Sequence, residues 1–227
     1  NYALQMDGSD HITIENCYIE AKNKSDFGLL IQAGSQDILV KGNRLNATHA
    51  EAGAINLIGP STKNIQILEN VITGATAWGN TLIKFSNNIK NISITDNTIE
   101  RSFRALYCVN ADSIEIRNNT IRNANSGIFL DNLSNHAQIE GNRLINIQSI
   151  QTLPEGTMAI FAQNSSDLDI INNFVQSGGI GPVFGINLQN ISSCRTHYNS
   201  IHITNTDAQG KSRGIYLKTC DSIQARN

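Results

Sequence analysis

Cysteine is scarce and scattered: Cys17, Cys108, Cys194 and Cys220 are the only four in 227 residues, with no Cys-x-x-Cys pair and no histidine at metal-ligand spacing. That argues against a zinc or disulfide framework, and Cys108 and Cys194 read as ordinary core residues. Neither sign of charge accumulates, since 17 basic residues face 19 acidic ones for a net charge of −2, and the basic residues form no stripe. The electrostatic footprint of a nucleic-acid partner is therefore missing. No apolar run approaches the length of about 18 residues that a membrane-spanning helix needs. Calcium held by acids such as Asp131 and Asp7 has no motif behind it, because EF-hand and nonapeptide calcium patterns are both absent, and no cofactor is expected. A complete catalytic signature is lacking as well.

What the chain does contain is repetition. Within residues 91–124 the phrase NISITDNTIERS is followed by DSIEIRNNTIRN, with Ile92 matched by Ile114, 22 residues on. The unit is Ile-x-Ile-x-x-Asn-x-Ile, and its asparagine recurs at Asn43, Asn70, Asn97, Asn119, Asn142, Asn173 and Asn199, with Cys17 in the equivalent place of the first copy. A period in the twenties with alternating aliphatics marks a solenoid, whose units bury their apolar faces only by stacking.

Further positions fall into rows. Ile38, Ile65, Ile92 and Ile114 precede the corner, as do Val40, Ile67, Ile94 and Ile116 two residues later, which places both rows on one face of a strand. Leu45, Ile72, Ile99 and Ile121 begin a second strand after the asparagine. A third strand precedes each unit, with Leu4, Leu30, Ile55, Ile83 and Leu106 pointing in, backed by Met6, Gln32, Leu57, Phe85 and Cys108. Three short strands per turn and a polar ladder at one corner predict an all-β, right-handed parallel β-helix of about nine coils. The stacked asparagines satisfy backbone amides that the bend leaves unpaired. A leucine-rich horseshoe would need helical segments, and an α-solenoid would need an apolar period of 3.6 where this one is 2. Residues 1–227 read as one domain; NYALQMDGSD enters in mid-repeat and CDSIQARN stops before the next asparagine, so a portion of a longer β-helix is expected.

The repeat resembles that of the pectate-lyase-like superfamily over essentially the whole chain. The resemblance implies the fold, an extracellular or periplasmic location, and a polysaccharide partner lying along the outer face of the first strand. Family motifs for particular activities are absent: there is no Asp pair with Gly-His-Gly as in polygalacturonases and no Asp-Pro-His as in alginate epimerases. TLIKFSNN, with Lys84, is similar to the lysine-bearing strand of chondroitinase-B-like and alginate lyases, although Tyr107 stands where their next-coil arginine would be.

Loop lengths shape the surface. Connections after Ile99 and Ile121 are the shortest, seven residues from row to row, and they lie between the loop carrying Trp78 and the long loop QSIQTLPEGT. A saddle results, the natural floor of a groove for an extended ligand. Outward first-strand positions read Gln5, Ile31, Asn56, Lys84, Tyr107, Phe129, Phe161, Asn187 and Tyr216, and the next outward row includes Asp131. Aromatic faces beside Lys84, Asp131, Arg101 and Arg104 suit a sugar ring bearing carboxylates, while aromatics also simply favour sheets. An inverting hydrolase needs two carboxyls about 6.5 to 9.5 Å apart; Asp7 is five coils from Asp131, and Glu155 is the one other partner. A uronan lyase or epimerase needs a base and a cation to stabilise an enolate-like intermediate, roles for which Lys84, Arg104 and Tyr107 are the candidates. Phe129, Asp131, Phe161, Asn187, Tyr216, Trp78 and Arg101 are the candidate substrate contacts, and His49 with Glu51 forms a weaker set nearby. The alternative is a non-catalytic carbohydrate-binding, adhesin or surface rod.

Overall fold

The computed structural model of the chain describes residues 1–75, 80–132, 134–149, 156–205 and 211–226; Trp78 and Glu155, and most of the QSIQTLPEGT loop, lie outside them. Among the described residues there are 22 strands and no helix. One coil consists of Gln36–Lys41, Arg44–Ala47 and Gly53–Ile58, and each strand pairs in parallel with its counterpart one coil on. Three sheets follow. A base sheet carries the strands before the asparagine corner, a side sheet those after it, and a front sheet the third strand of each coil. Where the connections are short, side and front strands merge without a break, as in Thr98–Val109 and Thr120–Asp131.

The alternating isoleucines dictate this. Ile38, Ile65, Ile92, Ile114 and Ala137 stand directly opposite one another across the base sheet, as do Val40, Ile67, Ile94, Ile116 and Ile139. All are buried. At roughly 2 kcal/mol for each fully buried isoleucine side chain, these rows are the main source of cohesion between coils. The handedness is the one that crossovers between parallel strands adopt almost without exception.

The asparagine ladder runs as expected from Asn43 to Asn199. In each step an Oδ1 accepts the backbone N–H of the preceding coil's corner residue, from Cys17 N on Asn43 at 2.9 Å to Asn173 N on Asn199 at 3.0 Å. Each Nδ2 also reaches a carbonyl of the preceding coil, as Asn119 does to Ile94 O at 2.8 Å. Immediately before each ladder residue sits one with positive φ: Asn16, Gly42, Glu69, Asp96, Asn118, Gly141, Asn172 and Tyr198. This left-handed residue makes the sharp bend, and asparagine, aspartate and glycine tolerate it best. A second left-handed position opens every base strand, occupied among others by Asp37, Asn64, Asn91, His136 and Asp167.

One row assignment needs correction. In the second coil Leu29 and Ile31, not Leu30 and Gln32, align with the inward Ile55 and Leu57, and Leu30 with the outward Asn56. Ile31 is therefore core, and Leu30 takes its place in the outward row. Cys108 and Cys194 are buried, as expected, and all four cysteines are free. Burial pushes the Cys108 thiol up and the Cys194 thiol up to about 12, so neither is a thiolate at neutral pH.

Across the base sheet, His136 ties three coils together, with Nδ1 2.8 Å from Asp112 Oδ1 and Nε2 3.7 Å from Asp167 Oδ2. The hydrogen bond to Asp112, then the charges of both aspartates, raise its pKa above the ordinary histidine value. A group whose folded pKa is raised adds stability that is fully present below the unfolded value, about 6.5, and lost as pH rises through the folded value. Thermal melts should therefore show the parent losing slightly more stability than His136→Asn between pH 6 and pH 8. The effect is small because the ring is largely exposed. Parallel pH profiles for the two proteins would rule the pairing out as a contributor.

Candidate functional site

On the front sheet, Tyr107, Phe129 and Phe161 stand directly opposite one another in three consecutive coils. Their rings step along the axis, Tyr107 edge-on to Phe129 at 5.5 Å and Phe129 tilted against Phe161 at 4.2 Å. One outward row to one side lies Asp131; on the other lies a row that includes Arg104, Ser126, Met158 and Phe184. Together Arg104, Tyr107, Phe129, Asp131, Met158, Phe161, Gln163 and Gln189 enclose a cavity of about 390 Å³, near the small end of the range for ligand pockets.

Asp131 is fixed from both flanks. Gln163 Nε2 donates to its Oδ1 at 2.6 Å, and the Tyr107 hydroxyl donates to its Oδ2 at 3.4 Å. Burial, then the negative charge of Asp131, raises the Tyr107 pKa above the ordinary phenol value, with Arg104 only partly opposing. The phenol therefore keeps its proton at neutral pH and serves as a hydrogen-bond donor. Arg104 lies across the floor, its guanidinium carbon 4.6 Å from the Phe129 centroid and 5.0 Å from that of Tyr107.

The structure thus gathers Arg104, Tyr107, Phe129, Asp131 and Phe161 into one place. Lys84 is beside it, opposite Tyr107 in the neighbouring coil and opposite Asn56 on its other side, but does not line the cavity. Asn187 is buried, its Nδ2 directed at Met158 Sδ at 3.6 Å and its Oδ1 accepting from Gln189. It supports the floor from the next coil. Tyr216 lies one coil further on, with its ring 5.4 Å from Phe184, and Arg101 is an exposed residue with positive φ on the side-to-front connection. Neither reaches the cavity. His49 accepts from the Glu51 amide while Glu51 pairs with Lys24, apart from it. Trp78 lies outside the described residues. Met158 and Gln163 complete the site; Met158 was missed because its row starts three residues before the aromatic one, where the alternation has no reference asparagine.

Larger concavities, about 430 and 660 Å³, open on the base sheet between rows of solvated polar side chains such as Gln66, Glu115, Gln138 and Asp169. They have no aromatic floor. Asp10, His11 and Asp37 bring ligand atoms within 4.8 Å of one another at the surface of the first two coils, but Gln36 and Asn64 already donate to the two carboxylates.

Comparison with known proteins bears first on the fold. No curated protein matches the sequence. Among solved structures, the chain is similar to a DFA-IIIase from Arthrobacter chlorophenolicus A6 in complex with DFA-III, at 12% identity and a TM-score of 0.56, covering 96% of this chain and 65% of that one. The same protein in complex with GF2 gives 13% identity and a TM-score of 0.53, covering 93% and 63%. The chain spans less than two thirds of the length of that protein in these pairings, and at such identities the likeness is one of fold alone. A model of the right handed beta helix region matches residues 2–175, and with its parallel coils and asparagine ladder the chain belongs to that family.

Proposed function

We propose that this β-helix is a polysaccharide-active protein that takes a sugar into the front-sheet cavity over Tyr107, Phe129 and Phe161. The observation that carries the reading is the coincidence, in three adjacent coils, of a stepped aromatic floor with a cation on one side and a carboxylate on the other. Sugar rings use aromatic surface for their apolar faces and charged groups for hydroxyls and carboxylates. Structures of one protein of similar fold in complex with DFA-III and with GF2 support the class of ligand. An extracellular or periplasmic location goes with this reading.

For chemistry, a uronan lyase or epimerase assigns Arg104 to the carboxylate and developing enolate. Tyr107 holds its proton and bonds to Asp131, so it acts as a donor. The remaining candidate for the base is Lys84, beside the cavity in the neighbouring coil, which would have to reach over its rim to the substrate. The test is a panel of acidic polysaccharides followed by unsaturated-uronate absorbance and by NMR for inverted C5 centres, with Lys84→Ala expected to abolish either signal. Silence in both assays with every polymer would sink the catalytic reading. The second reading, a non-catalytic carbohydrate-binding rod, is favoured by that same committed Tyr107 hydroxyl. It predicts saccharide binding by calorimetry that Tyr107→Ala weakens about tenfold, in line with the loss of one aromatic contact.

A further inference from the structure

The floor of the cavity is covered in the free protein. Phe129 is 8% exposed and Phe161 4%, although both point outward from the sheet; Phe161 is packed against Phe129 and Met158, and Arg104 is the group lying over Phe129. Its guanidinium stands over Tyr107, Phe129 and the adjacent Phe103 at 4.6 to 5.4 Å. It has no ion-pair partner among the described residues, and its Nε is buried without any hydrogen bond. Asp131, the nearest acid in the cavity, spends its hydrogen bonds on Gln163 and Tyr107. Among the described residues this guanidinium is held by stacking, which is weaker than a two-pronged, charge-assisted pair with a carboxylate.

We propose that Arg104 is a charge-selective cover over this cavity: a saccharide bearing a carboxylate draws the guanidinium off the rings and exposes the stacking surface, whereas a neutral saccharide must displace it with nothing in return. The inference rests on the saccharide reading above and names the substrate class of that site as acidic. Two energetic consequences follow. The arginine favours acidic ligands by pairing with them, and it disfavours neutral ones by occupying the surface they would use. Removing it should move the two affinities in opposite directions, which a residue contributing only packing or only attraction does not do.

The experiment is calorimetry with trimers of galacturonate, mannuronate and guluronate and with their fully methyl-esterified counterparts, on the parent, Arg104→Ala and Arg104→Lys. The parent should prefer an acid trimer over its ester by about tenfold or more. Arg104→Ala should bind the acid about tenfold more weakly and the ester several-fold more tightly. Arg104→Lys, which keeps the charge but not the planar fork, should retain a reduced acid preference and doubles as a control for folding. Equal weakening of both ligands by Arg104→Ala, or an unchanged preference, overturns the cover while leaving the saccharide reading in place. A parent that binds no trimer of either kind removes the saccharide reading and the cover with it.

Discussion

Asn119→Leu should lower the melting temperature by about 6 to 12 °C. The side chain is fully buried and makes five hydrogen bonds: Oδ1 accepts from Asn97 N and Nδ2, both at 3.0 Å, and Nδ2 donates to Ile94 O at 2.8 Å, Arg117 O at 2.9 Å and Asn142 Oδ1 at 3.0 Å. Leucine fills the space and satisfies none of them. The Asn97 amide loses its acceptor in the interior, and the Ile94 carbonyl loses a donor. With a buried orphan costing about 1 to 3 kcal/mol, the pair costs on the order of 3 kcal/mol. For a domain of this size that corresponds to roughly 2 to 4 °C per kcal/mol. Calorimetric melts of the parent and the variant check it. An unchanged melting temperature would show that water reaches this corner and that the ladder bonds are dispensable.

The ladder was legible in the sequence because every coil has the same need at the same place, so one residue type recurs on a period. The left-handed residue before it was legible in principle too, in pairs such as Gly42-Asn43, Asp96-Asn97 and Gly141-Asn142, since few other residues accept that backbone. The slip in the second coil has an equally local cause. Leu29, Leu30 and Ile31 are consecutive aliphatics, and alternation carries no information where both faces are apolar. In the front sheet, register placed Tyr107, Phe129, Phe161 and Asp131 together, but no periodicity tells which outward side chain another one covers. Arg104 lying back on the rings, and Asn187 directed at Met158, are outcomes of rotamer choice and neighbouring rows. The loops expected to wall a saddle, the one carrying Trp78 and QSIQTLPEGT, follow no period at all.

Gly127→Ala should be among the most damaging single methyl additions in the chain, and Gly214→Ala among the most benign, although the two glycines occupy the same row of the front sheet. A Cβ at Gly127 would lie 2.4 Å from Ala159 O and 2.5 Å from Leu144 Cδ2, whereas at Gly214 nothing lies within 4 Å. Leucine can rotate away; a backbone carbonyl of the next coil cannot. Relief requires that two coils separate at their closest approach, an overpacking cost of about 3 kcal/mol. Gly127 precedes Phe129 by two residues, and Ala159 precedes Phe161 by two, so the same displacement parts the rings that meet at 4.2 Å. The expected result is a melting temperature lower by about 6 to 12 °C, together with weaker saccharide binding, while Gly214→Ala leaves both unchanged. Gly127→Ser carries the same Cβ and should behave like alanine. A Gly127→Ala protein that melts with the parent would mean that the coils part at little cost here, and that the aromatic floor is not held in place by the close stacking of the two strands beneath it.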